Sequence, residues 1–274
     1  MRKTIVSAWF NLLSCAAGLT LIFPLFYTLL GAFKTAPEFA SYPPSLLPES
    51  FLNLENFRQV LTGVPMARYM LNSLLTSFIT GSVKVTFAAL AAYAFAFFDF
   101  RGKNILFLLI VCTMMLPPET LTITNYRTVS RLGLTDTYLG ICVVSFVGAS
   151  QMFMLRQQMN MLPGELRDAA AIDGCPDLVF MIRITLPMSK DILTTLFLQS
   201  FINQWNSYLW PLIVTGKETM RTVQVGLSML TNTETANYEI VLAGACIALV
   251  PSLILFFLSR RTLGGNLTAG AVVE

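Results

Sequence analysis

MLPGELRDAAAIDGCPD, residues Met161 to Asp177, is a short charged helix signal inside an otherwise greasy chain. Pro163 suits the first turn of a helix and Glu165 complements its positive N-terminal end. Gly174 is a natural residue just past the C-terminus, and Pro176 blocks continuation. The predicted helix has about ten residues and, at 1.5 Å per residue, a length of roughly 15 Å. Leu162, Leu166, Ala169, Ala170 and Asp173 recur at i, i+4, i+7 and i+8 spacing, which predicts one small, apolar face with Arg167 and Asp168 projecting elsewhere. The next segment, PDLVFMIRITLP, begins at Pro176 and must end near Pro187, giving a short bent helix.

The surroundings of this stretch decide its setting. Of 274 residues, 55% are hydrophobic and only 12% charged, where a soluble domain carries about 25% charged residues. The apolar residues gather into runs long enough to cross a hydrocarbon core about 30 Å thick, which needs about 20 residues. Six such runs occur, at 8–33, 69–98, 104–121, 137–153, 192–214 and 240–258. They are continuous rather than alternating, and lipid offers no partner to unpaired backbone groups, so helices are expected rather than barrel strands. The chain is therefore read as an all-α membrane protein of one domain, 1–274, with six transmembrane helices.

The first run also invites a reading as a lipoprotein-type signal, with Leu12, Leu13 and Ser14 before Cys15. Leu13 is bulky where a small residue is usual, and the apolar run continues to Phe33, past the 7–15 residues of a signal h-region. An uncleaved helix is expected.

Lys and Arg then set the orientation. With both termini inside, ten fall on the inner side, including Arg101 and Lys103 and the pair Arg260 and Arg261 at helix ends. Seven fall outside, and Lys84 lies within the second run. On this topology 156–191 is the long inner loop.

Its spacing carries a resemblance. Asp168-Ala169-Ala170, three residues, Gly174, nine residues, Ile184, one residue, Leu186 and Pro187 resembles the "EAA" cytoplasmic loop of permease subunits of binding-protein-dependent ABC importers. Asp168 stands where that family usually has Glu. NSLLTSF (72–78), AAYAFAFFDFRGKN (91–104), WNSYLWPLIV (205–214) and GGNLTAGAV (264–272) resemble the carbohydrate-uptake branch, its smaller second permease. The resemblance implies a six-helix permease fold in the cytoplasmic membrane. It also implies pairing with a homologous permease, two ATPase subunits that hold the ATP and Mg, and an extracytoplasmic solute-binding protein. The 162–174 helix would seat in a groove of an ATPase subunit, with Glu165, Arg167, Asp168, Ala169, Ala170, Asp173, Gly174 and Pro187 as coupling residues. Those residues suit the task on physical grounds. Small alanines permit close contact, the two carboxylates can pair with basic groups, and a rigid helix can transmit a rigid-body displacement.

Chemistry within this chain is not expected. There is no Walker-type glycine loop, since Gly216-Lys217 lacks the preceding glycine. The chain has no histidine, which excludes His-based metal sites and Ser-His or Cys-His pairs. Cys15, Cys112, Cys142, Cys175 and Cys246 show no Cys-x-x-Cys spacing. No bound cofactor, metal or nucleic acid is expected; membrane lipid is.

Two features mark a candidate solute path. Lys84 sits near the middle of the second run, where an ionisable group should face a cavity or be paired with a carboxylate or carbonyl. In a cavity it would favour an anionic solute. This part of the chain, with MMLPPETLTITNY (114–126), resembles permeases of glycerol-3-phosphate importers more than those of maltose importers, so a phosphorylated polyol competes with neutral sugars. The fifth run crowds Asn203, Gln204, Trp205, Asn206, Tyr208 and Trp210 into two turns. Aromatic faces beside amides suit a sugar, and the same residues also suit an interfacial aromatic belt with amides holding helices together. Pro24, Pro117, Pro118, Pro211 and Pro251 are expected to kink their helices. NLENFRQVL (53–61) reads as a short helix in an outer loop, on a surface for the binding protein or partner permease or in a plain linker. A stand-alone secondary transporter would need carboxylates within its spans or an inverted repeat. Neither is found, and a plain scaffold leaves the inner loop unexplained.

Overall fold

Every regular element that the computed structural model describes is a helix, as a chain that must satisfy its backbone without water requires. Described are residues 2–43, 45–230 and 237–269, with side chains over 9–43, 45–230 and 237–259. In chain order the helices are α1 (Arg2–Gly31), α2 (Ala36–Ala40), α3 (Glu55–Gly63), α4 (Met66–Phe97), α5 (Lys103–Thr113), α6 (Thr122–Arg131), α7 (Tyr138–Cys142) and α8 (Ala149–Asn160). There follow α9 (Glu165–Ile172), α10 (Asp177–Phe180), α11 (Leu186–Met188), α12 (Lys190–Trp205), α13 (Leu209–Val214), α14 (Val223–Leu230) and α15 (Tyr238–Ala269).

The larger of two compact units comprises 68–225 together with the chain from 252. Its spine is α4. Toward Phe97, one side of α4 buries Ala88, Ala89, Ala92, Tyr93 and Phe95 against Met152, Leu155 and Met159 of α8, Ala170 of α9, Phe180 of α10 and Leu196 of α12. The alanines let neighbouring backbones close on the spine, the usual device where no hydrophobic gradient draws helices together in lipid. At its other end α4 is knotted by polar groups. Asn72, fully buried, donates to the carbonyls of Thr219 and Arg221 at 2.9 and 2.8 Å and accepts from the Tyr138 hydroxyl at 2.8 Å. Ser73 Oγ accepts from the Val223 amide at 2.8 Å. A second small core joins Val129, Ile141, Val214 and Met220.

The other unit comprises 1–67 and 226–251. Here α1 comes so close to α15 that a Cβ on Gly31 would overlap Leu242 Cδ1. Asn56 of α3 ties off α1 by donating to the carbonyls of Ala32 and Lys34 at 2.9 and 2.7 Å. NLENFRQVL is a helix from Glu55, as expected from its sequence.

Among the described residues three helices are long and apolar enough to cross a membrane unbroken, Trp9–Gly31, Met66–Phe97 and Tyr238–Ser259. Pro24 and Pro251 lie inside two of them. Side chains of the first are exposed almost throughout. The runs predicted at 104–121 and 137–153 are instead bent pairs, Lys103–Thr113 with Pro118–Arg131 at 92° and Tyr138–Ser145 with Ala149–Asn160 at 53°. In the first, Pro117 offers no amide hydrogen and holds extended backbone (φ −62, ψ 130), so α5 stops at Thr113. In the second, Gly148 is extended (φ −143, ψ 109). The run at 192–214 is divided too, into α12 of 16 residues and α13 of six.

Candidate functional site: helix α9 and a polar cleft

The helix anticipated at 162–173 forms as α9, Glu165–Ile172, with Gly164 at its N-cap and Asp173 at its C-cap. Gly174 adopts φ +68, the left-handed conformation that terminates helices and that a Cβ penalises. Its amide donates to the Ala171 carbonyl at 3.1 Å, and the Cys175 amide donates to the Ala170 carbonyl at 2.9 Å. Those two bonds are the pair of a Schellman closure, which satisfies carbonyls that a helix end leaves orphaned. Pro176 is extended and starts α10. Between Phe180 and Leu186 the helix widens into a π-turn, Met181–Thr185, just before Pro187. The segment expected to end near Pro187 is thus α10, a π-turn and α11 in succession.

The faces of α9 differ from the expected pattern. Ala170 is 8% exposed and lies in the chain's own core with Leu166 and Cys175 beside it. Ala169 is exposed. Ala170 thus fixes the helix to its own bundle instead of offering a surface to a partner. The outward surface carries Glu165, Asp168, Ala169, Ile172 and Asp173, with Ile172 87% exposed and Met161 76% exposed on the approach.

Arg167 does not project freely either. One terminal nitrogen donates to the Phe97 carbonyl at the end of α4, and Nη2 lies 3.6 Å from Asp177 Oδ1. The guanidinium also sits 5.5 Å from the Phe97 ring centroid and 5.8 Å from that of Phe98. Tyr93 Oη donates to the Asp177 carbonyl at 3.0 Å, so α4, α9 and α10 share one polar junction. A neighbouring cation repeats the arrangement. Arg156 of α8 donates to the Phe95 carbonyl at 3.3 Å and stacks 3.9 Å from the Phe107 ring. The end of α4 is thereby held by two guanidiniums, each of them planar and able to stack while it donates.

At the candidate solute path, Lys84 is half-buried on α4, and its stem lies beside Gly148, where a Cβ would come 3.2 Å from Lys84 Cδ. Among the described residues its ammonium has no ion pair and no hydrogen bond. The paired alternative is therefore not found.

The fifth-run cluster separates. Trp205 is 1% exposed and stacked on Phe201 with ring planes 9° apart, which makes it a core residue and corrects its assignment to a solute surface. Gln204 is buried with it. Asn203 is exposed, and Asn206, at the end of α12, accepts from Gln224 at 3.4 Å. Tyr208 and Trp210 face a different neighbourhood. With Ser207 they line a cleft of about 310 Å³ closed by Glu119, Thr122 and Asn125 and by Ser145. Trp210 Nε1 donates to the Gly140 and Ile141 carbonyls at 3.2 and 3.1 Å, which pins the ring. Glu119, Thr122, Asn125, Ser145 and Ser207 were not singled out from sequence. For the first three the signal lay within the stretch already quoted at 114–126, where polar residues interleave with Leu121 and Ile123 directly after two prolines.

Residues 84–262 match the family described as the inner membrane component of binding-protein-dependent transport systems. The chain belongs to that family. This inner membrane component is 33% identical to the arabinooligosaccharides transport system permease protein AraQ of Halalkalibacterium halodurans, over 92% of this chain and 91% of that one. It is 33% identical to the sn-glycerol-3-phosphate transport system permease protein UgpE of Brucella melitensis, over 87% and 88% of the two chains. The crystal structure of a bacterial ABC transporter involved in the import of the acidic polysaccharide alginate contains a chain of the same fold. The TM-score is 0.82, over 95% of this chain and 97% of that one, at 19% identity. The alginate transporter in complex with alginate pentasaccharide-bound periplasmic protein gives 0.68 at 14% identity, over 94% and 96%. At those identities the likeness carries the fold alone.

Proposed function

We propose that this inner membrane component is the permease subunit of an ATP-driven importer for a carbohydrate-type solute, an oligosaccharide or a glycerol phosphate, and that α9 receives the stroke of an ATPase subunit. The solute classes are those named for its relatives AraQ and UgpE. One observation carries the coupling role. Ala170 and Arg167 fasten α9 to α4 and α10, while Glu165, Asp168 and Ile172 stand outward. A lever needs both conditions, since force applied to its free face reaches the bundle only through a fixed face. Two carboxylates beside an exposed isoleucine suit a partner groove that is basic at its rim and apolar at its floor.

In this reading the chain is a multi-pass protein of the cytoplasmic membrane with both termini inside. It pairs with a homologous permease, and two ATPase subunits bind ATP and Mg on the inner side. A solute-binding protein docks outside. The membrane component itself hydrolyses nothing.

The test is purification of the chain from its native membrane in detergent, followed by assay of ATP hydrolysis with and without solute plus binding protein. Recovery of a second permease and an ATPase whose turnover rises with solute is the expected result. A chain that purifies alone and still transports after reconstitution would overturn the proposal.

A further inference from the structure

Three helix breaks in the larger unit converge on one cleft. They are the turn at Met114–Pro117 between α5 and α6, the link at Val147 and the extended Gly148 before α8, and the link at Asn206–Tyr208 between α12 and α13. The cleft is lined directly after the first break by Glu119 and Asn125, directly before the second by Ser145, and at the third by Ser207 and Tyr208. Measured from the end of the bundle that carries the coupling loop, α5, α8 and α12 have 11, 12 and 16 residues. At 1.5 Å per residue the breaks lie about 16 to 24 Å from that end of the bundle. Irregular backbone at such depth is tolerated where it is buried in protein or borders a watery cavity, and discontinuous helices are a common way to build a solute site in transporters.

The lining has a definite chemistry. It combines a carboxylate that only accepts, a carboxamide that donates and accepts, hydroxyls that do both, and the rings of Tyr208 and Trp210. Among the described residues no lysine or arginine lines it. Lys84 contributes its stem to Gly148 beside the second break and is absent from the lining. A phosphate or carboxylate here would meet Glu119 with no compensating cation and would lose its hydration. An uncharged polyol can donate hydroxyls to Glu119 and lay its C–H face on the rings.

We infer that this cleft is a contact site for an uncharged, hydroxyl-rich solute, a neutral oligosaccharide, and that Glu119 is the specificity-determining residue that disfavours anions. The inference rests on the permease reading above and chooses between the two solute classes left open there.

Binding to the purified importer in lipid nanodiscs, with the solute-binding protein omitted, tests it. Labelled arabinose trisaccharide is titrated, and unlabelled trisaccharide or glycerol-3-phosphate competes. The expected result is trisaccharide binding that glycerol-3-phosphate does not displace. Glu119→Ala should weaken it about tenfold or more, the loss of one charge-assisted hydrogen bond. Glu119→Lys should make glycerol-3-phosphate an effective competitor. Asn125→Ala, a milder change, should weaken the trisaccharide as well, and size-exclusion of each variant with its partners shows that assembly is intact. Three results would each overturn the inference: glycerol-3-phosphate binding the wild type as well as trisaccharide does, no binding of either, or affinities unmoved by both Glu119→Ala and Asn125→Ala. Failure of the wild-type chain to assemble with an ATPase subunit would instead strike the permease reading, independently of the binding result.

Discussion

Arg167 reaches across the turn at Gly174 to Asp177, Nη2 to Oδ1 at 3.6 Å, while its other terminal nitrogen holds the Phe97 carbonyl. Both members of the ion pair are partly exposed, at 38% and 53%, so the pair alone contributes on the order of 0–1 kcal/mol. Its value is positional, because one planar cation ties three helices together. Arg167→Lys keeps the charge and gives up the fork and the stacking. Arg167→Lys and Arg167→Ala are expected to shift the melting temperature of the detergent-solubilised protein by only a few degrees, yet to cut solute uptake at least tenfold. Wild-type uptake in both variants would remove the clamp from the coupling path.

The two faces of α9 should fail in different ways. Ala170→Asp buries a carboxylate against Met159 and Phe180 in an unpaired setting, which costs several kcal/mol and should lower yield and melting temperature. Ile172→Asp alters a residue that is 87% exposed and should leave the melt unchanged while the ATPase subunit no longer copurifies. Asp168→Glu, on the same outward face, should be tolerated. A matched pair of melting curves and pull-downs separates these outcomes, and identical behaviour of the first two variants would refute the assignment of faces.

At Gly174 the left-handed backbone, φ +68, sets the cost of substitution. Open space surrounds the position, so strain rather than collision governs. Gly174→Val is expected to cost about 1–2 kcal/mol, and Gly174→Asn distinctly less, because asparagine visits that conformation more readily. Denaturation midpoints of the two variants give the comparison. Equal values would mean that the turn relaxes.

Acid should loosen the segment after α1 at one residue. Glu38 accepts from the Thr35 amide at 2.5 Å, the Glu49 amide at 2.6 Å and the Thr35 hydroxyl at 2.8 Å. The bonds from the two amides, Thr35 first, hold its carboxyl below the ordinary 4.5. A carboxyl depressed on folding contributes stability that is complete above its unfolded value and declines as pH falls through the folded one. Protection of the Glu49 amide from hydrogen exchange, corrected for the intrinsic rate, should hold from pH 7 to about 5 and fall below 4.5, and Glu38→Gln should abolish that step. A decline centred near neutrality would exclude Glu38 as its source.

Local chemistry accounts for what was readable in the linear chain. Apolar runs of spanning length gave an all-helical membrane chain, because lipid leaves a continuous run no other way to pair its backbone. Pro163, Gly174 and Pro176 bounded α9 to within two or three residues, since a missing amide hydrogen or a missing Cβ acts on its immediate neighbours. Pro117 and Pro118 likewise announced a kink, though not a turn of 92°.

What depended on neighbours distant in sequence was decided only by the fold. Ala169 and Ala170 are equally small, and only the packing of α8 and α10 turned the second inward. Trp205 and Trp210 are five residues apart in one aromatic cluster. The break at Ser207 sends the first onto Phe201 in the core and the second to the cleft. The cleft itself draws on residues 118–125, 144–145 and 207–210, which no single window of sequence brings together. Propensity and hydropathy are sums over adjacent residues, whereas a site is a meeting of residues that the chain separates; the sequence by itself therefore determined the helices and their ends, and tertiary packing decided which of their faces do the work.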